Sequence, residues 1–218
     1  TGEGVFILGP GATNNTIQGN FIGTDVTGMA AHGNGSASGA SGLLIENTGD
    51  NQIGGGLAGS GNLISANNNR GIYLLGATNN VVQGNLVGTK ADGVSALANL
   101  FHGVDIDTGS ANNVIGGAVA GTGNTLAFAQ VFQGYGYCGV RVRAGAVNNL
   151  ISGNSIFSNT GLGIDLGTYG VNPNVDCGSG IGANLSENFP VLTNVISGVV
   201  TRVQGTLDST AGHSYLLQ

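Results

Sequence analysis

A glycine followed by alternating apolar residues returns six times in this chain, and this repeat limits the fold more than any other feature. The copies begin at Gly4, Gly42, Gly71, Gly103, Gly139 and Gly163. A phrase of the type Asn-Asn-x-Ile-x-Gly follows five of them, at residues 14–19, 50–55, 79–84, 112–117 and 148–153. A third phrase, Asn-x-Ile, starts at Asn20, Asn62, Asn85, Asn124 and Asn154. Each repeat is therefore predicted to contain three short strands.

Strands this short cannot bury their apolar faces within one repeat, so successive repeats must stack. Stacking at a strand spacing of about 4.8 Å pairs each strand with its copy in the next repeat and gives three parallel sheets around a common core. The period of two turns the second and fourth residues of the first strand inward. The predicted core is Val5, Ile7, Ile17, Ile45, Ile53, Ile72, Leu74, Val82, Val104, Ile106, Ile115, Val140, Val142, Ile151, Ile164 and Leu166.

Asparagine is predicted to form one corner of every repeat. The positions that would superimpose there are Asn15, Asn51, Asn80, Asn113 and Asn149. Stacked amides can pass hydrogen bonds from repeat to repeat, and Asn tolerates the left-handed backbone of such corners. A longer period is also visible, because residues 22–34 match 87–99 and residues 53–62 match 115–124. Alternate repeats should therefore carry different loops.

Composition excludes several classes of protein. The 218 residues include 43 Gly and 26 Asn, which both disfavour helices, so an all-α fold is excluded. A net charge of −6 with five Lys and Arg leaves no basic surface, which argues against nucleic acid and anionic membranes as partners. No apolar run reaches the roughly 18 residues of a transmembrane helix.

These phrases resemble the right-handed parallel β-helix repeat family, and within it the large repetitive secreted and cell-surface proteins of bacteria. The resemblance covers roughly residues 1–170 and implies an all-β, three-sheet, right-handed parallel β-helix (β-solenoid) of about six coils with a short β tail. It also implies an extracellular or cell-surface location and end-to-end or oligomeric contacts at open coil ends. Because the same coil underlies polysaccharide lyases, epimerases, phage tail fibres and adhesins, it specifies function weakly.

The repeat stops after the sixth copy. Residues 171–188 read as a loop, and residues 189–218 contain alternating strands, including 199–207 and 215–217. We interpret 189–218 either as a cap on the solenoid or as the truncated start of an immunoglobulin-like module. We therefore expect the chain to be a segment of a longer protein.

Two columns of side chains are predicted on the outer face of the first sheet. They run Phe6, Leu44, Tyr73, Asp105, Arg141, Asp165 and Leu8, Glu46, Leu75, Asp107, Arg143, Gly167. In the sugar-acid lyases that this fold resembles, such a face holds uronate, calcium and a catalytic base. The resemblance therefore implies Asp105, Asp107, Arg141, Arg143, Tyr73 and His102 as candidate catalytic residues.

We prefer a structural interpretation of the same face. Asp105 and Asp107 should pair with Arg141 and Arg143 in an exposed ion-pair ladder worth roughly 0 to 1 kcal/mol per pair. His102 is expected at the surface. Paired arginines would also compete with calcium, which needs six to eight oxygens, so no cofactor is expected, with calcium as the exception to test.

Three smaller features complete the candidates. The insertion 127–138 holds Phe128, Phe132, Tyr135 and Tyr137, which could stack on sugar rings, fold the loop onto the solenoid or bury a neighbouring protein. Residues Asn172, Asn174 and Asp176 offer oxygens for calcium, although a proline-stiffened turn fits them better. A disulfide between Cys138 and Cys177 is predicted, since the first precedes the fifth coil and the second leaves the sixth.

The sequence thus favours a non-catalytic solenoid module that acts as a spacer or as an adhesive surface, with polysaccharide or a neighbouring surface protein as partner. The alternative is a polysaccharide lyase or epimerase that acts on uronic-acid polymers at the Asp105 and Arg141 face.

Overall fold

The computed structural model describes residues 2–35, 39–174, 182–186 and 188–209, and within them the protein is all-β. The strands are, in chain order, β1 (Val5–Leu8), β2 (Thr16–Ile17), β3 (Phe21–Ile22), β4 (Leu43–Glu46), β5 (Gln52–Gly54), β6 (Leu63–Ile64), β7 (Ile72–Leu75), β8 (Val81–Gln83), β9 (Leu86–Val87), β10 (Val104–Ile106), β11 (Val114–Gly116), β12 (Thr125–Ala127), β13 (Val131–Phe132), β14 (Tyr135–Gly136), β15 (Val140–Val142), β16 (Leu150–Ser152), β17 (Ser155–Phe157), β18 (Ile164–Leu166), β19 (Val191–Ile196) and β20 (Arg202–Thr206). A short 3-10 turn spans Ala183–Ser186.

Three parallel sheets form the body of the protein, as the repeat predicts. The first has six strands in the order β1-β4-β7-β10-β15-β18, and the other two have five each, β2-β5-β8-β11-β16 and β3-β6-β9-β12-β17. Each repeat therefore gives one strand to each sheet until the sixth, where β18 is the last. This solenoid-like architecture is compatible with a parallel β-helix.

The core lies between the three sheets and follows the predicted period. Eleven of the sixteen predicted core residues are buried, while Val5, Ile17, Ile151 and Leu166 are partly buried against the core. Ile164 is 43% exposed, so the prediction that its side chain lies in the core was wrong in extent. It still pairs in register with Val140, and its exposure comes from its place in the last strand, beyond which the structure describes no further sheet partner.

The corner asparagines stack as predicted, but the two residues of each Asn-Asn pair have different roles. The first residue adopts the left-handed backbone, as Asn79 does at a φ of 56°. The second residue forms the ladder: the backbone N–H and Nδ2 of Asn80 both donate to Oδ1 of Asn113, at 2.9 Å each. Asn15, Asn51 and Asn113 make the same pair of bonds to the next repeat.

Two further asparagine ladders exist that the sequence analysis did not predict. One joins Asn20, Asn62, Asn85, Asn124 and Asn154, and a shorter one joins Asn34, Asn67 and Asn99. The first of these belongs to the Asn-x-Ile phrase, whose return in every repeat, alternately five and eleven residues after the first ladder, was the available signal. Amide ladders thus fix both ends of every middle strand.

The alternation of loops is also visible. Residues 24–31 and 89–96 form matching small hairpins, closed by the bridges Thr24 to Ala31 and Thr89 to Ala96. The hairpins contact each other through the N–H of Ala91, which donates to the carbonyl of Gly28 at 3.1 Å. Because equivalent loops lie two repeats apart, odd and even repeats present different surfaces.

Beyond the repeats, β19 and β20 form an antiparallel hairpin whose side chains are exposed. Of the predicted tail strands, 199–207 overlaps β20, whereas 215–217 lies outside the described residues. The described part of the chain contains no helix long and apolar enough to cross a membrane.

Candidate functional site

The charged residues predicted on the first sheet do lie side by side. Asp105 in β10 pairs in register with Tyr73 in β7 on one side and with Arg141 in β15 on the other. Arg141 in turn faces Asp165 in β18. The common offset of these residues from their repeat glycine explains the alignment, since parallel strands without bulges keep their register.

The expectation of an exposed ladder was wrong. Asp105 is fully buried, Asp165 is 1% exposed and Arg141 is 4% exposed. The Tyr169 ring lies against Arg141, with the guanidinium carbon 3.9 Å from the ring centre, and thereby covers this part of the sheet. A contact with a side chain outside the regular repeat therefore covers Arg141.

The ion pairs also differ from the predicted ones. Asp105 binds Arg70 and Arg143 and makes no ion pair with Arg141 among the described residues. Its two oxygens receive Nε and Nη2 of Arg143 at 2.9 and 2.8 Å. Arg141 instead binds Asp165 and the carbonyl of Gly167. The predicted Asp107–Arg143 pair is present, at 3.4 Å.

This arrangement keeps the central carboxylate ionised. Burial by itself raises the pKa of Asp105, but the hydrogen bonds from Arg143 and the charge of Arg70 outweigh it, so the pKa lies below its ordinary value. Burial and the hydrogen bond to Asp107, at 2.7 Å, raise the pKa of Tyr73 to about 12. Near neutral pH, Asp105 is therefore ionised and Tyr73 is protonated.

His102 is buried at 1% exposure, which contradicts its predicted surface position. The backbone N–H of Cys138 donates to its Nδ1 at 3.1 Å, so the neutral ring carries its proton on Nε2, 3.5 Å from the Tyr169 hydroxyl. Burial lowers the pKa of His102 to about 4, against 6.5 in water, despite the nearby charge of Asp105. The ring is therefore neutral at pH 7.

Cys138 is buried, with its sulfur 3.5 Å from Oδ2 of Asp165, and forms no disulfide with any residue that the structure describes. Burial and the carboxylate raise the pKa of this thiol to about 12. Its predicted disulfide partner, Cys177, lies outside the described residues, so the disulfide stays a prediction.

An aromatic hairpin covers the edge of the charged face. It consists of β13 and β14, and its turn residues Gln133 and Gly134 have φ values of 51° and 82°, as a type I′ turn requires. Tyr137, which follows β14, contacts the rings of Phe101 and His102, each with a centre distance of 4.8 Å. The insertion thus folds onto the solenoid, which was one of its three predicted roles.

The four aromatic candidates for sugar binding fall into three environments. Phe132 packs edge-on against Phe101 at 5.4 Å and joins the same cluster as Tyr137. Phe128 lies apart, against Phe157. Only Tyr135 among them is exposed, at 57%. Its ring lies 5.7 Å from that of Tyr169, which is 48% exposed, so these two tyrosines form an accessible aromatic pair.

The calcium candidates hold the chain in place through their amides. Oδ1 of Asn174 accepts from the N–H of Phe189 and its Nδ2 donates to the same residue's carbonyl, at 3.1 and 2.9 Å. Asn172 bonds to Leu166 and Thr168, while Asp176 lies outside the described residues. Within the described residues no group of three or more His, Cys, Asp or Glu side chains could hold a metal ion.

One column of this site was not predicted from the sequence. Arg70, His102 and Cys138 each precede a repeat glycine directly, and their carbonyls accept from the glycine one repeat earlier, as His102 does from Gly71 at 3.0 Å. Because the glycine offset is constant, the column could have been found in the same way as the other two. Tyr169 could not, since it lies in a loop without a repeat counterpart.

The accessible part of the face is small and its charges are internally matched. Arg143 is 31% exposed in its side chain, Arg70 18% and Asp107 17%. Arg70 also stacks over the Tyr73 ring at 4.2 Å. Deeper in the cluster, Nε of Arg141 and Oδ1 of Asp165 have no hydrogen-bond partner among the described residues. The arrangement can hold a rigid network of charges, and its outer rim can contact a polar ligand.

Comparison of the chain with protein-family models, with curated proteins and with solved structures found no match.

Proposed function

We propose that this protein is a non-catalytic β-solenoid module of a secreted or cell-surface protein of bacteria, a rigid spacer whose aromatic edge contacts glycans. We further propose that the module is a right-handed parallel β-helix of about six coils and belongs to the family that its repeats resemble. The observation that carries the proposal is the fully buried Asp105, whose carboxylate is already bound by two arginines.

An enzyme of the lyase type needs a base and a cation that can reach the sugar acid. Asp105 and Arg141 are buried, and Tyr73 has a raised pKa of about 12 because of burial and Asp107. His102 is neutral and enclosed between Tyr137 and Tyr169. These environments favour a structural role for the cluster, since its central carboxylate and its histidine are already bound or enclosed by neighbouring side chains.

The exposed pair of Tyr135 and Tyr169 supports the glycan contact. Two tilted rings with centres 5.7 Å apart offer apolar faces to a sugar, and the adjacent Arg141 guanidinium polarises one of them. The Tyr169 ring already packs against Arg141 and His102, so less side-chain freedom is lost when a ligand binds.

The alternative, a lyase or epimerase acting on uronic-acid polymers at the Asp105 and Arg141 face, is favoured by one observation. The Tyr73 hydroxyl, Asp107 and Arg143 meet at the accessible rim, and Arg143 has 31% of its side chain exposed to a carboxylate ligand. Such a rim could bind a sugar acid even if the deeper residues are structural.

Incubation of the purified protein with uronic-acid polymers, followed by absorbance of unsaturated lyase products and by NMR of epimerised sugar residues, separates the two candidates. The proposal expects no product with or without added calcium. Product formation that is lost in Tyr73→Phe, with an unchanged unfolding midpoint, would establish the enzyme instead. For the glycan contact, Tyr135→Ala should remove binding to immobilised polysaccharides, whereas Phe128→Ala, which lies outside the pair, should retain it.

A further inference from the structure

The first repeat leaves an open edge at the N-terminal end of the solenoid-like body. Phe6, Leu8 and Phe21 are 50%, 54% and 48% exposed, unlike most of their counterparts in later repeats. The adjoining hollow, of about 460 Å³, is lined by Val5, Phe6, Ile7, Leu8, Ala12, Asn15 and Ile17. Apolar side chains of the first repeat are thus accessible at this end.

Every interior repeat receives the same set of hydrogen bonds from the repeat before it. Oδ1 of Asn80 accepts from both the backbone N–H and Nδ2 of Asn51, and Oδ1 of Asn85 accepts from the same two groups of Asn62. The N–H groups of Val81 and Leu86 donate to the backbone carbonyls of Asn51 and Asn62, respectively.

At the open edge the equivalent groups are exposed. Asn15 and Asn20 donate to the second repeat, but their Oδ1 atoms accept no hydrogen bond from any residue that the structure describes. Thr16 and Phe21 occupy the same repeat positions as Val81 and Leu86, so their N–H groups face the open edge. The edge therefore presents two acceptors and two donors in the spacing of an interior repeat.

The opposite end of the body is closed by the chain itself. Asn184, in the turn Ala183–Ser186, continues the first ladder: its Oδ1 accepts from the N–H of Asn149 at 2.6 Å, and its Nδ2 donates to the carbonyl of that residue at 2.8 Å. Ala183 joins the core at 3% exposure. A second copy stacked head to tail would have to displace this cap, which argues against the protein itself as the partner of its open edge.

We propose that the N-terminal edge is an interface for one more β-coil of the same repeat chemistry, with asparagines at two corners that donate to Oδ1 of Asn15 and Asn20. The alternation of loops specifies the coil further. The first and third repeats carry matching hairpins, and the second repeat precedes the third, so the docking coil is of the second-repeat type. This inference rests on the proposed solenoid module and is independent of its glycan contact.

A fusion tests the interface. Residues 42–67 are joined to Thr1 of the complete chain. Gly4 then follows the added coil after the same number of residues as separates Gly71 from residue 67 in the native chain. We expect the midpoint of thermal unfolding to rise by several degrees and the amide hydrogens of Thr16 and Phe21 to exchange at least about tenfold more slowly. The control changes Asn51→Asp and Asn62→Asp in the added coil only, which removes the Nδ2 donors, and should give a smaller rise and less protection.

Equal midpoints and equal exchange rates for the fusion, its control and the parent chain would overturn the inference. The amide hydrogens of Val81 and Val114 in the parent chain report the solenoid itself, because they donate across interior repeats. If these two exchange freely, the proposed solenoid is wrong. If they are protected while the fused coil changes nothing, only the docking interface is wrong.

Discussion

The corner asparagines and the charged face both bury polar side chains, but they satisfy them in different ways. In the first ladder, Asn51, Asn80 and Asn113 all donate two hydrogen bonds to the next amide oxygen and accept two from the previous repeat or edge. On the charged face, Asp105 binds two arginines from different positions of their repeats, while Arg141 turns to Asp165. The ladder repeats one hydrogen-bond arrangement in successive repeats, whereas the arrangement of ion pairs on the charged face occurs once.

This difference has an energetic consequence. Neutral amides exchange hydrogen bonds with water for equivalent bonds in the ladder, so a net contribution of about 1 kcal/mol per bond is expected. Buried charges lose far more hydration, and their stability depends on the presence of every partner. The charged face should therefore respond more strongly to single substitutions than the ladder.

The largest effect is expected for Asp105→Ala. The change removes the fully buried carboxylate that Arg70 and Arg143 both bind, which should lower the free energy of unfolding by about 3 to 5 kcal/mol. Denaturant unfolding followed by circular dichroism measures it. The matched control is Asp107→Ala, whose partly exposed carboxylate should cost about 1 kcal/mol or less. Equal losses in the two variants would mean that the face is solvated as the sequence first suggested.

A ladder substitution is expected to cost less. Asn80→Ala removes the Nδ2 that donates to Asn113 and the oxygen that accepts twice from Asn51, which should lower the free energy of unfolding by about 2 to 4 kcal/mol because buried groups on both sides lose partners. Asn15→Ala at the open edge should cost less than about 1 kcal/mol, since its oxygen accepts nothing in the described chain. The two variants are compared by urea unfolding, and a loss at Asn15 as large as at Asn80 would contradict the ladder's directionality.

His102 should make stability depend on pH. Its pKa is about 4 in the folded protein and 6.5 in the unfolded chain, so between these values the unfolded chain binds more protons and acid favours unfolding. We expect a loss of about 2 kcal/mol between pH 7 and pH 5, complete only below pH 4.

The substitution His102→Asn separates this effect from the carboxylates. Its amide oxygen can accept from the N–H of Cys138 but cannot take up a proton. Urea midpoints measured from pH 7 to pH 5 should fall less in this variant than in the parent. An unchanged slope would show that His102 is not the group responsible.

The smallest effect is expected in the hairpin that covers the charged face. Gly134→Ala places a side chain at a φ of 82°, with open space around the added carbon, so the cost is backbone strain of about 1 kcal/mol. Looser packing of Tyr137 should then raise the pKa of His102 toward its ordinary value, which an NMR titration of the ring can follow. Gly9→Ala, with a similar φ of 86° and similarly open space, is the control and should leave that pKa unchanged.

The repeat by itself determined most of the architecture. Three parallel sheets, their register, the core face of each strand and the first asparagine ladder all follow from the constant spacing inside each recurring phrase, because parallel pairing copies local spacing from one repeat to the next. The alignment of Asp105 with Arg141 and Asp165 follows for the same reason.

Tertiary structure decided what happens at that face. Whether Asp105 is solvated or buried depends on the arginines that reach it from other positions, and the fate of Arg141 depends on Tyr169, which lies in a loop that has no counterpart in other repeats. The burial of His102 depends likewise on the rings of Tyr137 and Tyr169. These contacts join residues far apart in the chain through side-chain directions that no spacing encodes, so the sequence located the charged residues while only the folded chain settled their partners and their protonation.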